Sequence, residues 1–142
     1  MSLRQFCKRP VFSVSPGDTI LKACQLMEEH NIGCLVAEEK GKICGILTDR
    51  DIALKVAGEQ KDSQDTRVAD VMSRDPISMS MDKGVHELTT FMHTHHVRRV
   101  PIVDGAQRVV GIVTLDDLIA LLGDEMWDMG KTVSEACVQG TA

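Results

Sequence analysis

Aromatic residues are scarce in this chain of 142 residues, which has no tyrosine, one tryptophan and three phenylalanines. A hydrophobic core with so few rings has to be built from valine, isoleucine, leucine, alanine and methionine. An excess of basic residues is also missing, because the formal net charge is −5 at pH 7. This balance argues against a protein that binds nucleic acid or a membrane surface, since both need a basic stripe.

Long apolar runs and paired cysteines are missing as well. No run approaches the roughly 20 apolar residues that a transmembrane helix needs, and the first residues lack the apolar stretch of a signal peptide. The five cysteines are odd in number and none of them is spaced as Cys-x-x-Cys. We therefore expect free thiols in a reduced, cytoplasmic protein.

The chain instead contains an internal repeat. Residues 45–54 (GILTDRDIAL) return as residues 111–120 (GIVTLDDLIA), and residues 12–15 (FSVS) return as residues 77–80 (ISMS). The repeat period of 65 or 66 residues is too long for a helical solenoid repeat and too short for two complete domains. It indicates two half-domains that pack together to close a core, with two related clefts between them.

Each half is predicted to have the element order β-α-β-β-α, from short apolar runs and helical spacing of apolar residues. The first half has strands at 11–14, 34–37 and 43–47, a helix from a cap at Asp18 to His30, and a helix from Thr48 to Val56. The second half has strands at 77–79, 100–103 and 109–113 and helices at 83–95 and 114–122. The predicted fold class is α/β of the α+β type, with two repeats related by pseudo-two-fold symmetry and packed sheet to sheet.

We place the two repeats at residues 7–60 and 68–123, with a polar linker at 61–67 between them. A short helical turn at Val68–Met72 is expected to introduce the second repeat. Residues 124–142 form a C-terminal helix or tail, in which Met126, Met129, Val133 and Cys137 fall on one side of a short amphipathic helix that Gly130 weakens.

Three features of this repeat resemble the tandem cystathionine-β-synthase (CBS) domain pair, also called a Bateman module. They are Gly-h-h-Thr-x-x-Asp in both halves (h, hydrophobic), Val-x-Asp-Val-Met at 68–72 and Arg-Val-Pro-Ile-Val-Asp at 99–104. The resemblance covers about residues 8–123. It implies a flattened disc, usually a homodimer of pairs, that binds adenosine-containing ligands as a regulatory sensor.

The motifs Thr48-x-x-Asp51 and Thr114-x-x-Asp117 have two interpretations. In one, each is a helix capping box, in which threonine caps the helix and the acid folds back to the chain. In the other, Asp51 and Asp117 accept hydrogen bonds from ribose hydroxyls, while the threonines and helix amides hold phosphate. One threonine can serve both purposes, and the resemblance favours ligand contact.

Arg98 and Arg99 lead into a strand and should therefore point to opposite faces. Either they are solvated and paired at the surface, or at least one of them clamps a phosphate through paired donors. The resemblance implies phosphate binding, because basic residues hold phosphate at this place in the family. The matching place in the first half is Gly33-Cys34, which carries no charge. We therefore expect the second half to bind more tightly.

Arg50 lies in the first turn of a helix, where the helix dipole disfavours a cation. It has two interpretations: it pairs with Asp49 or Asp51, or it meets a bound phosphate. The spacing leaves both open.

An adenine ring needs a flat apolar slot, which aliphatic residues must form here because aromatic residues are scarce. The same residues are equally suited to an ordinary core. The candidates are Val11, Phe12, Leu35, Asp75, Pro76, Ile77, Val100 and Pro101.

His93 and His96 can share a helix face, but no cysteine or acid is spaced to complete a tetrahedral metal site. We predict no metal and no required cofactor, and interpret the histidines as a pH-sensitive surface cluster. The predicted function is a non-catalytic sensor of AMP, ADP, ATP or S-adenosylmethionine that acts on a separate effector protein or through self-association. The alternative is a dimerisation scaffold with degenerate clefts, and a metal-assisted hydrolase ranks last.

Overall fold

The computed structural model describes residues 2–7 and 10–139, which contain two sheets, one for each repeat. The strands of the first sheet are, in order, Ser13–Val14 (β1), Cys34–Glu39 (β2), Lys42–Thr48 (β3) and Ser73–Arg74 (β4). Those of the second are Met79–Ser80 (β5), Arg99–Val103 (β6) and Val109–Thr114 (β7). The first strand runs parallel to the second, and the second runs antiparallel to the third, in both sheets. The predicted fold of two β-α-β-β-α repeats is confirmed.

One long helix covers each sheet. These helices are Ile20–His30 (α2) and Val85–His95 (α5), and the apolar residues that each turns inward are buried. Helix α2 is capped by Thr19, whose side chain accepts the N–H of Lys22, and not by Asp18 as the sequence suggested. The carboxylate of Asp18 instead accepts the N–H of Ser15 at 2.8 Å and closes the turn before the helix.

Two short helices, one at the start of the chain and one between the repeats, each pack into the core of one repeat. The first, Leu3–Phe6 (α1), places Leu3 in the core of the second repeat. The second, Val68–Val71 (α4), places Val68 in the core of the first repeat, and β4 then pairs with β3. Helix α4, which we expected to introduce the second repeat, is therefore built into the first.

The sheets also bury residues on the faces that point away from these helices. Successive side chains of a strand alternate between the two faces. Leu35 and Val100 belong to the helix-side cores, whereas their neighbours Val36 and Pro101 are fully buried but lie outside both core clusters. This burial on the opposite faces agrees with repeats packed sheet to sheet.

The last helix, Leu115–Gln139 (α6), is continuous and 25 residues long. The sequence suggested a helix ending near Leu122 and a separate short one, which is wrong. Gly123 and Gly130 each cost only about 1 kcal/mol in a helix, and no proline or left-handed residue stops the chain there. The helix therefore carries an exposed row of apolar side chains, which we call the α6 seam: Ile119, Leu122, Met126, Met129 and Val133.

Within the described part of the chain, no helix combines the length and the apolar character needed to cross a membrane.

Candidate functional site

The first Thr-x-x-Asp motif is a complete capping box at the start of Asp49–Ile52 (α3), which continues as a π-helical segment at Ala53–Ala57. Thr48 Oγ1 accepts the N–H of Asp51 at 3.1 Å. In return, Asp51 Oδ2 accepts the N–H of Thr48 at 3.1 Å and its hydroxyl at 2.9 Å. The expected capping interaction is therefore confirmed for this motif.

The other oxygen of the same carboxylate meets a lysine. Asp51 Oδ1 lies 2.9 Å from Nζ of Lys55, one helical turn further on. Burial alone would raise the pKa of Asp51, but hydrogen bonds from Lys55 and Thr48 outweigh it and hold the pKa below its ordinary value of 3.8. Asp51 is thus an anion at neutral pH, with a cation already beside it.

The second motif makes the same capping contacts at the start of α6. Asp117 Oδ2 accepts the N–H of Thr114 at 2.9 Å and its hydroxyl at 2.7 Å. Thr114 Oγ1 accepts the N–H of Asp117 at 3.2 Å. Capping and ligand contact remain compatible here, because Asp117 also lines a cavity.

That cavity, which we call the wide cleft, has a volume of about 700 Å³ and lies between the two repeats. Its size falls well inside the range of roughly 300–1,000 Å³ that is typical of small-molecule sites. The first repeat contributes, among others, Val11, Phe12, His30, Gly33 and Cys34. The second repeat contributes, among others, Arg99, Thr114, Asp117, Leu121 and Asp124.

A second cavity, the narrow cleft, has a volume of about 330 Å³. Its lining also comes from both repeats, but here the Thr-x-x-Asp motif is that of the first repeat. The first repeat supplies Ile46 and Thr48, and the second supplies Pro76, Ile77, Val97, Arg98 and Arg99; Ser73 of β4 also lines this cleft. The two clefts are pseudo-symmetric, because members of one correspond to members of the other at a shift of 65 or 66 residues in the sequence. Among the corresponding pairs are Phe12 and Ile77, Gly33 and Arg98, Cys34 and Arg99, and Thr114 and Thr48.

The two neighbouring arginines are placed differently. Arg99 lines both clefts, whereas Arg98 lines only the narrow one and lies 3.8 Å from Asp116 through an exposed pair. From the sequence we expected at least one of these arginines to hold phosphate and the second repeat to bind more tightly. The structure brings Arg99 into the same cleft as Asp117, because Arg99 pairs with Thr114 across strands β6 and β7. Arg98 lines the other cleft, together with Thr48 of the first repeat.

The eight residues suggested for an adenine slot separate into three groups. Val11 and Phe12 line the wide cleft, and Pro76 and Ile77 line the narrow one. Ile77, expected in a strand, precedes β5 and is 40% exposed. The remaining four line neither cleft. Leu35 and Val100 are fully buried in the helix-side cores, and Pro101 is fully buried outside both core clusters. Asp75 is exposed, and its N–H donates a hydrogen bond to the carbonyl of Cys44.

Two residues of the wide cleft, His30 and Cys34, were not predicted as site residues but have distinctive chemistry. His30 stacks on Phe12 with ring centroids 3.7 Å apart and an angle of 17° between the planes, which makes a flat surface at the wall. Burial raises the pKa of the Cys34 thiol to about 11, although the nearby Arg99 acts in the opposite direction. Cys34 is therefore a neutral thiol at physiological pH. The pseudo-symmetry of the repeats is the sequence signal for Cys34, because it marks this residue as the counterpart of Arg99.

The remaining candidates lie away from the clefts. Arg50 is exposed and lines neither, and its N–H binds Asp49 Oδ1 at 2.8 Å, while Asp51 pairs with Lys55 instead. His93 and His96 face each other edge-on with centroids 6.4 Å apart. Among the described residues, no group of three or more His, Cys, Asp or Glu side chains is arranged to hold a metal ion.

Comparison with known proteins identifies the family to which the two repeats belong. The family model described as "CBS domain" matches residues 3–58 and again residues 68–124. CBS domain-containing protein YhcV of Bacillus subtilis is 40% identical over 117 residues, which cover 82% of each chain.

Solved structures of other proteins support the same family. A putative signal-transduction protein with CBS domains from Burkholderia ambifaria matches with a TM-score of 0.77 and 28% identity, over 86% of this chain and 93% of its own. The CBS domain pair of protein MJ0100, in complex with 5′-methylthioadenosine and S-adenosyl-L-methionine, matches with a TM-score of 0.77 and 29% identity, over 88% and 98%. With two matched repeats and two pseudo-symmetric clefts between them, this chain belongs to the CBS domain family as a tandem pair.

Proposed function

We propose that this chain is a sensor that binds an adenosine-containing ligand, namely AMP, ADP, ATP or S-adenosylmethionine, in its wide cleft. This proposal agrees with the regulatory role of the CBS domain pair. The observation that carries the proposal is the position of Asp117. This carboxylate lines the wide cleft beside Thr114, together with Val11 and Phe12 of the other repeat. The complex of protein MJ0100 with two adenosyl compounds supports the same ligand class.

Each part of such a ligand has a partner of suitable chemistry in this cleft. A carboxylate accepts hydrogen bonds from the hydroxyls of ribose, which assigns the sugar to Asp117. An aromatic surface stacks on a base, which assigns adenine to the wall formed by Phe12 and His30. A guanidinium binds phosphate or carboxylate through paired donors, so Arg99 suits a nucleotide phosphate or the amino-acid end of S-adenosylmethionine. Thr114 and the first amides of α6 add donors for an anion.

Binding at this place has a structural consequence because the wide cleft takes its walls from both repeats. A ligand that touches both walls stabilises the arrangement in which they are correctly spaced. The signal is then a shift in the population of that arrangement, which a separate effector protein reads. This mechanism needs neither a catalytic residue nor a required cofactor.

We also propose that the protein acts as a homodimer, which the α6 seam supports. The five apolar residues of the seam recur at alternating intervals of three and four, which is the spacing of a coiled-coil heptad. Each of them is more than half exposed. A second copy offers the same seam in the same register, so parallel pairing would cover both. The five free cysteines agree with a cytoplasmic protein.

Isothermal titration calorimetry with AMP, ADP, ATP, S-adenosylmethionine and NAD tests the proposed ligand class. We expect saturable heat with at least one adenosine-containing compound, and native mass spectrometry of the purified protein should then identify a bound ligand of this class. Heat from none of them, with the fold intact, would favour the scaffold with empty clefts. That alternative draws on the same exposed seam.

A further inference from the structure

Asp124 is an acidic residue of the wide cleft that the proposed ligand contacts do not use. It belongs to α6 and lines this cleft. The residue is exposed, and its carboxylate makes no hydrogen bond or ion pair with any residue that the structure describes. An ionised carboxylate accepts hydrogen bonds and donates none. Asp124 is therefore available to accept a hydrogen bond from a molecule bound in the wide cleft.

The narrow cleft has no counterpart of this carboxylate. At a shift of 66 residues, the position of Asp124 is occupied by Gly58, which follows the π-helical segment and does not line the narrow cleft. In the second repeat the helix continues without a break to Gln139. The length of α6 therefore gives the wide cleft an acidic group that the repeat alone does not supply.

The residues of α6 that line the wide cleft form a row along one face of the helix, because they are spaced three and four residues apart. They are Asp117, Ala120, Leu121 and Asp124. At a rise of 1.5 Å per residue, the two carboxylates at the ends of this row are separated by roughly 10 Å along the helix axis. Arg99 lies before the row, because it pairs with Thr114, the residue that precedes α6.

An adenosine-containing ligand carries its groups in a matching order. The proposed contacts assign its anionic end to Arg99 and its ribose to Asp117, so the base comes next, beside Leu121 and the wall of Phe12 and His30. The 6-amino group of adenine is a hydrogen-bond donor at the edge of the base that points away from the ribose. A separation of roughly 10 Å is comparable to the length of adenosine between its ribose hydroxyls and this amino group, with a hydrogen bond at each end.

We propose that Asp124 recognises the base by accepting a hydrogen bond from the 6-amino group of adenine, which makes the wide cleft selective for adenine over purines without this donor. This inference rests on the proposed function for its ligand class and goes further in assigning base specificity to one side chain. A purine without the amino group leaves the carboxylate without a ligand partner. Because Asp124 is exposed and water replaces part of the lost interaction, we expect a preference of about tenfold, the lower end for a hydrogen bond to a charged group.

Calorimetric titration of wild type and Asp124→Ala with adenosine and purine riboside tests this inference. Purine riboside differs from adenosine only in lacking the 6-amino group, and neither compound has an anionic end for Arg99. We expect wild type to bind adenosine about tenfold more tightly than purine riboside, and Asp124→Ala to bind the two compounds about equally. AMP and S-adenosylmethionine are titrated into wild type in parallel to test the proposed ligand class.

Asp128→Ala is the matched control. Asp128 lies one turn further along α6, is also exposed, and does not line the wide cleft. Its replacement removes the same charge from the same helix and should leave the preference for adenosine unchanged. Asp124→Asn keeps a carbonyl acceptor and should retain part of the preference. Circular dichroism checks the fold, which alanine at an exposed helical position should preserve.

The outcomes separate the two proposals. A preference for adenosine that a folded Asp124→Ala protein keeps would overturn the role of Asp124 and leave the wide-cleft sensor intact. The same conclusion would follow if wild type bound both nucleosides equally, or bound AMP or S-adenosylmethionine but neither nucleoside. No binding of any of the four compounds to wild type would overturn both proposals.

Discussion

The backbone N–H of Leu3 donates a hydrogen bond to the carbonyl of Lys83 at 3.0 Å and thereby joins the first helix of the chain to the second repeat. The corresponding contact in the first repeat joins the N–H of Val68 to the carbonyl of Asp18 at 2.9 Å. Each repeat is thus completed by a short helix from a different part of the sequence. The core of the second repeat cannot close without residues from the start of the chain.

Leu3→Ala should therefore destabilise the protein although it lies near the terminus. Leu3 is fully buried among Leu88, Met92 and Val100, and truncation of a buried leucine to alanine typically costs about 2–5 kcal/mol. Urea unfolding followed by circular dichroism measures this change. Gln5→Ala, on the exposed side of the same helix, is the control and should change stability by less than about 0.5 kcal/mol. Equal stabilities of the two variants would contradict this account of α1.

The ion pair of Lys55 with Asp51 predicts a pH-dependent contribution to stability. The pKa of Asp51 is lowered in the folded protein, so its contribution is complete above the ordinary value of 3.8 and is lost as the pH falls through the folded-state pKa. Lys55→Met should lose on the order of 1 kcal/mol at neutral pH, from the pair and the hydrogen bond to Val71. Urea unfolding at several pH values should show this difference shrinking once the pH falls below 3.8. A difference that stays constant in acid would exclude Asp51 as the partner.

Arg99 and Arg98 should differ in their effect on nucleotide binding. Arg99 lines the wide cleft, so Arg99→Ala should weaken binding of AMP by about tenfold or more, as expected for loss of a hydrogen bond between charged groups. Binding of adenosine, which has no phosphate, should change little. Arg98→Ala is the matched control, since Arg98 lines only the narrow cleft. Equal losses of AMP and adenosine affinity in Arg99→Ala would refute the assignment of Arg99 to phosphate.

The α6 seam should set the oligomeric state. Met126 lies at its centre and is 60% exposed, so Met126→Glu would place a charge where two seams meet. We expect its dimer dissociation constant to rise by at least about tenfold, because burial of a methionine contributes about 1.5–3 kcal/mol. Light scattering coupled to size-exclusion chromatography measures the change. Ser134→Glu, outside the seam, should remain dimeric, and a wild-type monomer at high concentration would rule out this interface.

Local signals in the sequence predicted the repeated elements well. The spacing of Thr48 and Asp51, and of Thr114 and Asp117, predicted both capping interactions because a capping box forms within four consecutive residues. The repeat itself predicted two related clefts. What was missed depends on contacts between distant parts of the chain, as the burial of Leu3 in the second repeat illustrates.

The composition of each cleft was harder to predict for the same reason. The sequence predicted tighter binding by the second repeat, but each cleft draws on both repeats: Gly33 and Asp117 line the wide cleft, and Thr48 and Arg98 line the narrow one. Leu35 was indistinguishable from a cleft residue, because an apolar strand residue suits either face of a sheet. The ion pair of Lys55 with Asp51 was missed, although the i, i+4 spacing on a helix favours it, whereas the hydrogen bond of Lys55 to the carbonyl of Val71 depends on tertiary packing.

The central claim, that Asp117 binds the sugar of an adenosine-containing ligand in the wide cleft, is tested most directly by calorimetry on Asp117→Ala and Asp51→Ala. Both variants lose the same capping contact, and Asp51→Ala also loses the ion pair with Lys55, so a general loss of stability would affect Asp51→Ala at least as much through these contacts. The account predicts that Asp117→Ala binds S-adenosylmethionine or AMP at least about tenfold more weakly than wild type, while Asp51→Ala binds as wild type does. Wild-type affinity in a folded Asp117→Ala protein would contradict it.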